Sequence, residues 1–293
     1  MVRNIALLFV LFTCNLFAQV QKPETLKAMT FNVRMDTPKD GINQWSNRKE
    51  WVAEIVRFND VDVVGMQEVT YGQLVDLQGL MPNYDYVGEG RESGNKGEFS
   101  PIFYVKERFK LLESGTFWLA ENPAEKGMIS WDSSLPRIAT WARLEDKNTK
   151  RTFVFINTHF DHRGKLAREK SVEVIQAKLK NIVKGETVIL TGDLNLPPTD
   201  TPYQKIVDLG FLDTREVATN RAELGYTFNS WDIEAKPTNR IDYIFSKGSD
   251  LAVWKYQELD IQRGARFASD HYPVMTEFRW VSKVDLVQKK KKR

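Results

Sequence analysis

The chain has 293 residues, of which 42% are hydrophobic and 28% charged. That composition excludes a largely disordered chain, a collagen and a polytopic membrane protein. Lys and Arg number 42 against 39 Asp and Glu, but six of the cations lie in residues 1–18 and 289–293. The body between is slightly acidic, which disfavours a domain that grips nucleic acid through its phosphates and leaves room only for a local basic groove.

The chain opens on Arg3 and an apolar run from Ile5 to Phe17, then turns polar at Gln19. This pattern reads as a secretory signal peptide over residues 1–18, cut after Ala18. The apolar run is shorter than the roughly 20 residues of a spanning helix. The mature chain is therefore expected to be exported, with no membrane span. Cys14 is the only cysteine and would leave with the signal. That excludes thiol catalysis, a zinc–cysteine site and a disulfide scaffold.

A strand is expected at 26–33, with Asn32 near its end. A helix at 48–58 follows, on the spacing of Trp51, Val52, Ile55, Val56 and Phe58. The apolar strand at 61–66 leads to Glu68. Short strands at 102–105 and 140–144 precede one at 152–157, which opens onto Asn157-Thr-His159 and, beyond it, His162. A helix at 167–183 carries Val172, Ile175, Leu179, Ile182 and Val183 in one stripe and stops at Gly185. The strand at 187–191 delivers Asp193 and Asn195, two residues apart and so on one face. A short helix at 201–209 and strands at 240–245 and 271–278 complete the pattern. Asp242 lies inside the first of these strands, and Ser269-Asp-His271 opens the second. Alternating strands and helices argue for α/β layers. No linker is evident, so residues 25–280 read as one domain around one cleft, followed by a basic tail at 281–293.

One acid at a strand end is most simply a cap or a turn residue. Asn32, Glu68, Asp193, Asn195 and Asp242 together, with His159 and His271, point instead to a site, because ligands of open α/β sheets bind beyond the strands' carboxyl ends. Carboxylate and amide oxygens without cysteine suit Mg²⁺, Mn²⁺ or Ca²⁺ rather than structural zinc. Glu68 and Asp270 suit Mg²⁺, which takes one or two carboxylates and bridges to phosphate. The remaining acids and histidines can move a proton and neutralise charge, as water attack on a phosphoryl group requires.

Six motifs carry a resemblance: Met29-Thr-Phe-Asn32, Gln67-Glu68, Asn157-Thr-His159, Gly192-Asp-Leu-Asn195, Arg240-Ile-Asp242 and Ser269-Asp-His271. In this order, over nearly the whole mature chain, they resemble the endonuclease/exonuclease/phosphatase superfamily, the deoxyribonuclease I-like phosphoesterases. The resemblance implies a four-layer α/β sandwich, two mixed β-sheets packed face to face with helices outside. It implies Mg²⁺ or Mn²⁺ held by Glu68 and Asp270, with Asn32 touching metal or phosphate. Asp193 and Asn195 would handle the attacking water and a phosphate oxygen. His271 would stand beside the phosphorus, oriented by Asp242, and either Asp193 or His271 would take the proton. His159 would be the second histidine, paired with a glutamate for which Glu98 stands in the right place. Arg137 is a candidate substrate contact, and His162 reads as a loop residue first and an outer substrate contact second.

Loops rather than motifs set the substrate in such a fold. The acidic body and the export signal favour a phosphodiester or phosphomonoester of a small, sugar- or lipid-linked phosphate. An exported nuclease is the alternative, followed by a non-catalytic phosphate-binding member. Cations near the motifs are few: Arg34, Arg137, Arg163 and Arg240. Trp118, Trp131, Trp141 and Trp231 could stack a sugar or base or belong to the core. A monomer is expected.

Overall fold

The computed structural model describes residues 24–234 and 239–281; the expected signal segment and residues 282–293 of the tail lie outside them. The first half contains β1 (Thr25–Asn32), α1 (Lys49–Phe58), β2 (Val63–Gln67), α2 (Tyr71–Leu80), β3 (Tyr84–Val87), β4 (Ile102–Val105), β5 (Phe109–Trp118) and β6 (Ile138–Asp146). The second contains β7 (Thr152–His159), α3 (Lys165–Ile182), β8 (Thr187–Asp193), α4 (Thr201–Asp208), β9 (Leu212–Asp213), α5 (Thr214–Val217), β10 (Asn220–Ala222), β11 (Asp242–Lys247), β12 (Leu251–Glu258) and β13 (Val274–Trp280). Among the described residues no helix is long and apolar enough to cross a membrane.

The strands form two mixed sheets, ordered β10-β12-β13-β1-β2-β4-β3 and β5-β6-β7-β8-β11-β9. Alternation along each strand dictates how they stack. Leu26 and Ala28 of β1 meet Phe153 and Phe155 of β7, Ile189 of β8 and Ile244 of β11 in one buried cluster between the sheets. The opposite faces bury outward. Met29 and Phe31 pack with Val52, Ile55 and Val56 of α1 and Leu74 and Leu77 of α2. Val154, Ile156, Val188 and Leu190 pack with Val172 and Ile175 of α3 and Ile206 of α4. The chain is a four-layer α/β sandwich of helix, sheet, sheet and helix.

That stacking also places the site. Followed along their strands, the residues that face the other sheet run from apolar to polar: Leu26, Ala28, Thr30, Asn32; Phe153, Phe155, Asn157, His159; Ile189, Thr191, Asp193. β7 runs parallel to β8, which sets His159 opposite Asp193. β11 is antiparallel to β8, so its first residue, Asp242, also lies opposite Asp193. β13 is antiparallel to β1, with Val274 opposite Thr30, and so brings the segment before it to the same edge. The expected strand at 271–278 begins instead at Val274, and His271 forms an isolated bridge with Phe228.

Candidate active site

Below the cleft a buried polar layer replaces the apolar core. Gln67 Nε2 donates to Thr30 Oγ1 at 2.9 Å and to Asn157 Oδ1 at 2.6 Å. Asn157 Nδ2 donates to the carbonyls of Met66, at 2.6 Å, and Pro101, at 3.0 Å. Gly65 permits this approach, since a Cβ there would stand 2.5 Å from Asn157 Cγ and from Thr191 Oγ1.

Above it, Asn32 Nδ2 donates to Glu68 Oε1 and to Asp193 Oδ2, both at 3.0 Å. Two neighbouring carboxylates need a donor between them, and Asn32 supplies it. Its Oδ1 accepts from the Arg34 amide at 3.0 Å, so the side chain braces the two acids. Glu68 Oε2 accepts from the Met35 amide at 3.1 Å. Arg34 lies 3.9 Å from both Glu68 and Asp270 while its guanidinium is held by Asp40. Glu68 and Asn195 hold positive φ of 61° and 51°, a left-handed backbone uncommon for side-chain-bearing residues and frequent at functional sites.

The histidines and the acids beside them complete the set. His271 Nδ1 pairs with Asp242 Oδ2 at 2.9 Å, and its Nε2 lies 3.8 Å from Asp193 Oδ2. Thr227 Oγ1 accepts from the Asp242 amide and fixes the start of β11. Phe228 packs edge-on against the His271 ring at 5.0 Å. His159 Nε2 lies 3.0 Å from Asn195 Nδ2 and 3.5 Å from Asp193 Oδ2.

Burial opposes a charge on His271, but Asp242 and then Asp193 outweigh it and hold the imidazolium up to about 10. Burial, reinforced by the charge of Asp242, pushes the Asp193 carboxyl up to about 7. Burial and the nearby cations Arg137 and Arg91 hold His159 neutral, well below the usual imidazole range. Asp270 is raised by burial and, among its neighbours, by Glu68.

These groups border a cavity of about 490 Å³. The structure brings Glu68, Asp270, Asp193, Asn195, His159, His271, Glu98 and Arg137 to its wall; Asn32 and Asp242 support it from beneath. Glu98 does not meet the expectation of a histidine partner. Its carboxylate pairs with Arg91 Nη1 at 2.8 Å, a full charge being a stronger partner than the neutral His159. His162 lies in the loop between β7 and α3, as expected, and that loop borders the cavity, with His162 Nδ1 3.1 Å from Arg137 Nη2. Arg240 belongs to the fold, its guanidinium doubly bonded to buried Asp213 at 2.5 and 3.1 Å. No tryptophan borders the cavity; Leu135, Met35, Phe228 and Ile241 form its apolar walls. Sequence reasoning missed Arg91 and Phe228, whose only signal was a cation and a ring in turn-rich segments.

Two carboxylate groupings could hold a cation. Ligand atoms of Asp193, Asp242 and His271 lie within 4.8 Å of one another. Glu68 and Asp270 form the other, each carboxylate 3.9 Å from the Arg34 guanidinium that Asp40 holds. Their all-oxygen donor set fits a hard divalent cation.

A phosphoesterase is the class that this fold and this set of acids and histidines define. Known proteins agree. The model of the Endonuclease/Exonuclease/phosphatase family matches residues 29–271. A solved family protein from Bacteroides thetaiotaomicron is 36% identical, with a TM-score of 0.85, covering 89% of this chain and 100% of that one. The mannosyl-6-phosphatase of Bacteroides thetaiotaomicron VPI-5482 is also 36% identical, with a TM-score of 0.82, covering 87% of this chain and 100% of that one. An uncharacterized protein of Acanthamoeba polyphaga mimivirus is 25% identical over 236 residues, 66% of this chain; the match spans 34% of that relative's length. The chain belongs to the endonuclease/exonuclease/phosphatase family, whose members hydrolyse phosphate esters.

Proposed function

We propose that the chain is an exported, Mg²⁺- or Mn²⁺-dependent phosphoesterase that acts as a monomer on a small phosphate ester, foremost a sugar phosphate. The observation that carries this reading is the 490 Å³ cleft, with Glu68 and Asp270 in its wall and Asp193 and His271 beside them, His271 held from beneath by Asp242. Its size suits a small ligand rather than a long polymer. The likeness to a mannosyl-6-phosphatase supports a sugar-linked substrate. A slightly acidic body, with Arg240 spent on Asp213, supports the same choice over nucleic acid.

Glu68 and Asp270 would hold the metal, braced by Asn32 through Glu68. When bound, the cation withdraws charge from a phosphoryl oxygen and from the leaving alkoxide. The chain's own residues do the rest. Asp193, at about 7, is ionised at mildly alkaline pH and basic enough to take a proton from water. His271, held charged by Asp242, donates from Nε2 to the phosphoryl oxygens as their charge grows. That division makes Asp193 the base and His271 the charge stabiliser. Neutral His159 and the Asn195 amide orient the group.

The test is turnover of sugar phosphates, bis-p-nitrophenyl phosphate and plasmid DNA by the mature chain, with chelator and with Mg²⁺ or Mn²⁺, across a salt series. Activity should vanish with chelator, return with either metal, favour the small esters and depend weakly on salt. Full activity in excess chelator, or plasmid cleavage that outruns the small esters and collapses steeply with salt, would overturn the proposal.

A further inference from the structure

We infer that Arg91 and Arg137 form an anion seat in the wall of the cleft, and that this seat holds the free oxygens of a terminal phosphate and selects phosphomonoesters over diesters. The inference rests on the phosphoesterase reading above and narrows its substrate class. Both guanidinium side chains are deeply buried, Arg91 being 8% and Arg137 5% exposed. Both border the cavity beside His159.

Their present partners do not exhaust them. Arg91 Nη1 donates to Glu98 Oε2 at 2.8 Å. Arg137 Nε reaches Asp161 Oδ2 at 3.3 Å, and its Nη2 lies 3.1 Å from His162 Nδ1. Arg91 Nε and Arg137 Nη1 are buried with no partner. A buried charged donor left unpaired is costly. Asp161 offers Arg137 little, because it already accepts from the amides of Ser134, Arg163 and Gly164 and from the Ser134 hydroxyl.

The two cations also act on each other. Burial and then the charge of Arg91 make Arg137 less basic than an ordinary arginine, and both cations disfavour a proton on neighbouring His159. Glu98 and Asp161 match the two guanidiniums in number, so what this part of the cleft offers an anion is unpaired N–H donors rather than net positive charge.

Charge and free oxygens decide which anion. A separate cavity of about 10 Å³, room for about one water, lies between Arg91, Glu98, Arg137 and His159. A phosphomonoester presents three free oxygens and a charge near −2 at neutral pH. Its oxygens can face the guanidiniums while its ester arm leaves along the open cleft.

The first measurement needs no substitution. Calorimetry of the chelator-treated chain should show inorganic phosphate binding at least about tenfold more tightly than dimethyl phosphate. Equal affinities, or no phosphate binding, would overturn the seat. With metal, kcat/KM is compared for p-nitrophenyl phosphate and bis-p-nitrophenyl phosphate in the native chain, Arg91→Gln and Arg91→Lys. Arg91→Gln should weaken phosphate binding by roughly 10- to 100-fold, the worth of a hydrogen bond to a charged group. It should cost the monoester at least about tenfold more than the diester, through KM rather than kcat, with partial recovery in Arg91→Lys. Equal losses on both esters would overturn the assignment. If the native chain hydrolyses neither ester, the phosphoesterase reading fails, and the phosphate calorimetry still decides the seat.

Discussion

Replacing Asp242 with Asn removes the carboxylate paired with His271 Nδ1 at 2.9 Å while keeping its size and an oxygen that can still accept. In the native chain the imidazolium persists to about 10 instead of 6.5. That gap, about 3.5 pH units, corresponds to roughly 5 kcal/mol in favour of the charged ring. Burial works against the charge, so the carboxylates together supply more than this net figure, and Asp242 is foremost among them. With it gone, burial is opposed chiefly by Asp193, so His271 should lose its proton well below the native midpoint. The alkaline limb of kcat/KM should therefore move to lower pH, and turnover at pH 9 should drop by at least about tenfold. Ring titration by NMR should follow the same midpoint. Stability gives an independent check. A histidine raised above its unfolded value contributes stability that is fully present below about 6.5 and is lost as pH rises through about 10. The melting gap between the native chain and Asp242→Asn should be widest near pH 6 and should close toward pH 10. An alkaline limb and a ring titration that stay near 10 in the variant would refute the pairing as the source of the charge.

Asp193→Asn should lower kcat by about 10²–10⁴, the range for losing a general base. Because Asp193 is raised from 3.8 to about 7, its ionisation costs the fold a penalty that grows above pH 3.8 and is complete above about 7. The variant should therefore melt no lower than the native chain at pH 8; a large drop by scanning fluorimetry would make Asp193 a turn residue rather than a base. The same carboxyl should set an acidic limb in the native rate profile near pH 7, absent from any residual activity of the variant. Gly65→Ala should destabilise the fold by at least about 2 kcal/mol, since the new Cβ would stand 2.5 Å from Asn157 and Thr191 and force apart the polar layer under the site. A urea melt within about 0.5 kcal/mol of the native chain would show that this layer gives way freely.

Residues that obey a short period were legible in the sequence. Asn32, His159 and Asp193 stand at the carboxyl ends of β1, β7 and β8, so their place at strand ends pointed them to one edge, and in the structure they continue the inward-facing positions. The stripe on α3 was equally plain. By contrast, α2 was missed because Gly72 and Gly79 interrupt its ten residues, and its start depends on a capping box between Thr70 and Gln73 rather than on spacing. β5 was missed because Lys110, Glu113 and Ser114 leave its middle exposed without clean alternation. The Arg91–Glu98 pair was illegible for a different reason. Its partners sit on the chain between β3 and β4, where Gly90 and Gly94 exchange a backbone hydrogen bond and turn the segment back on itself. No periodicity encodes such a contact. The division is chemical as well as structural. Groups that handle water and charge stand at the ends of strands whose inner faces are fixed by the core, and those positions can be read as motifs. Arg91, Arg137, Leu135 and Phe228 come from the loops and turns that close the cleft, so motifs that disclose a phosphoryl-transfer site are silent about its substrate. The loop residues are therefore where substrate choice has to be tested, beginning with Arg91.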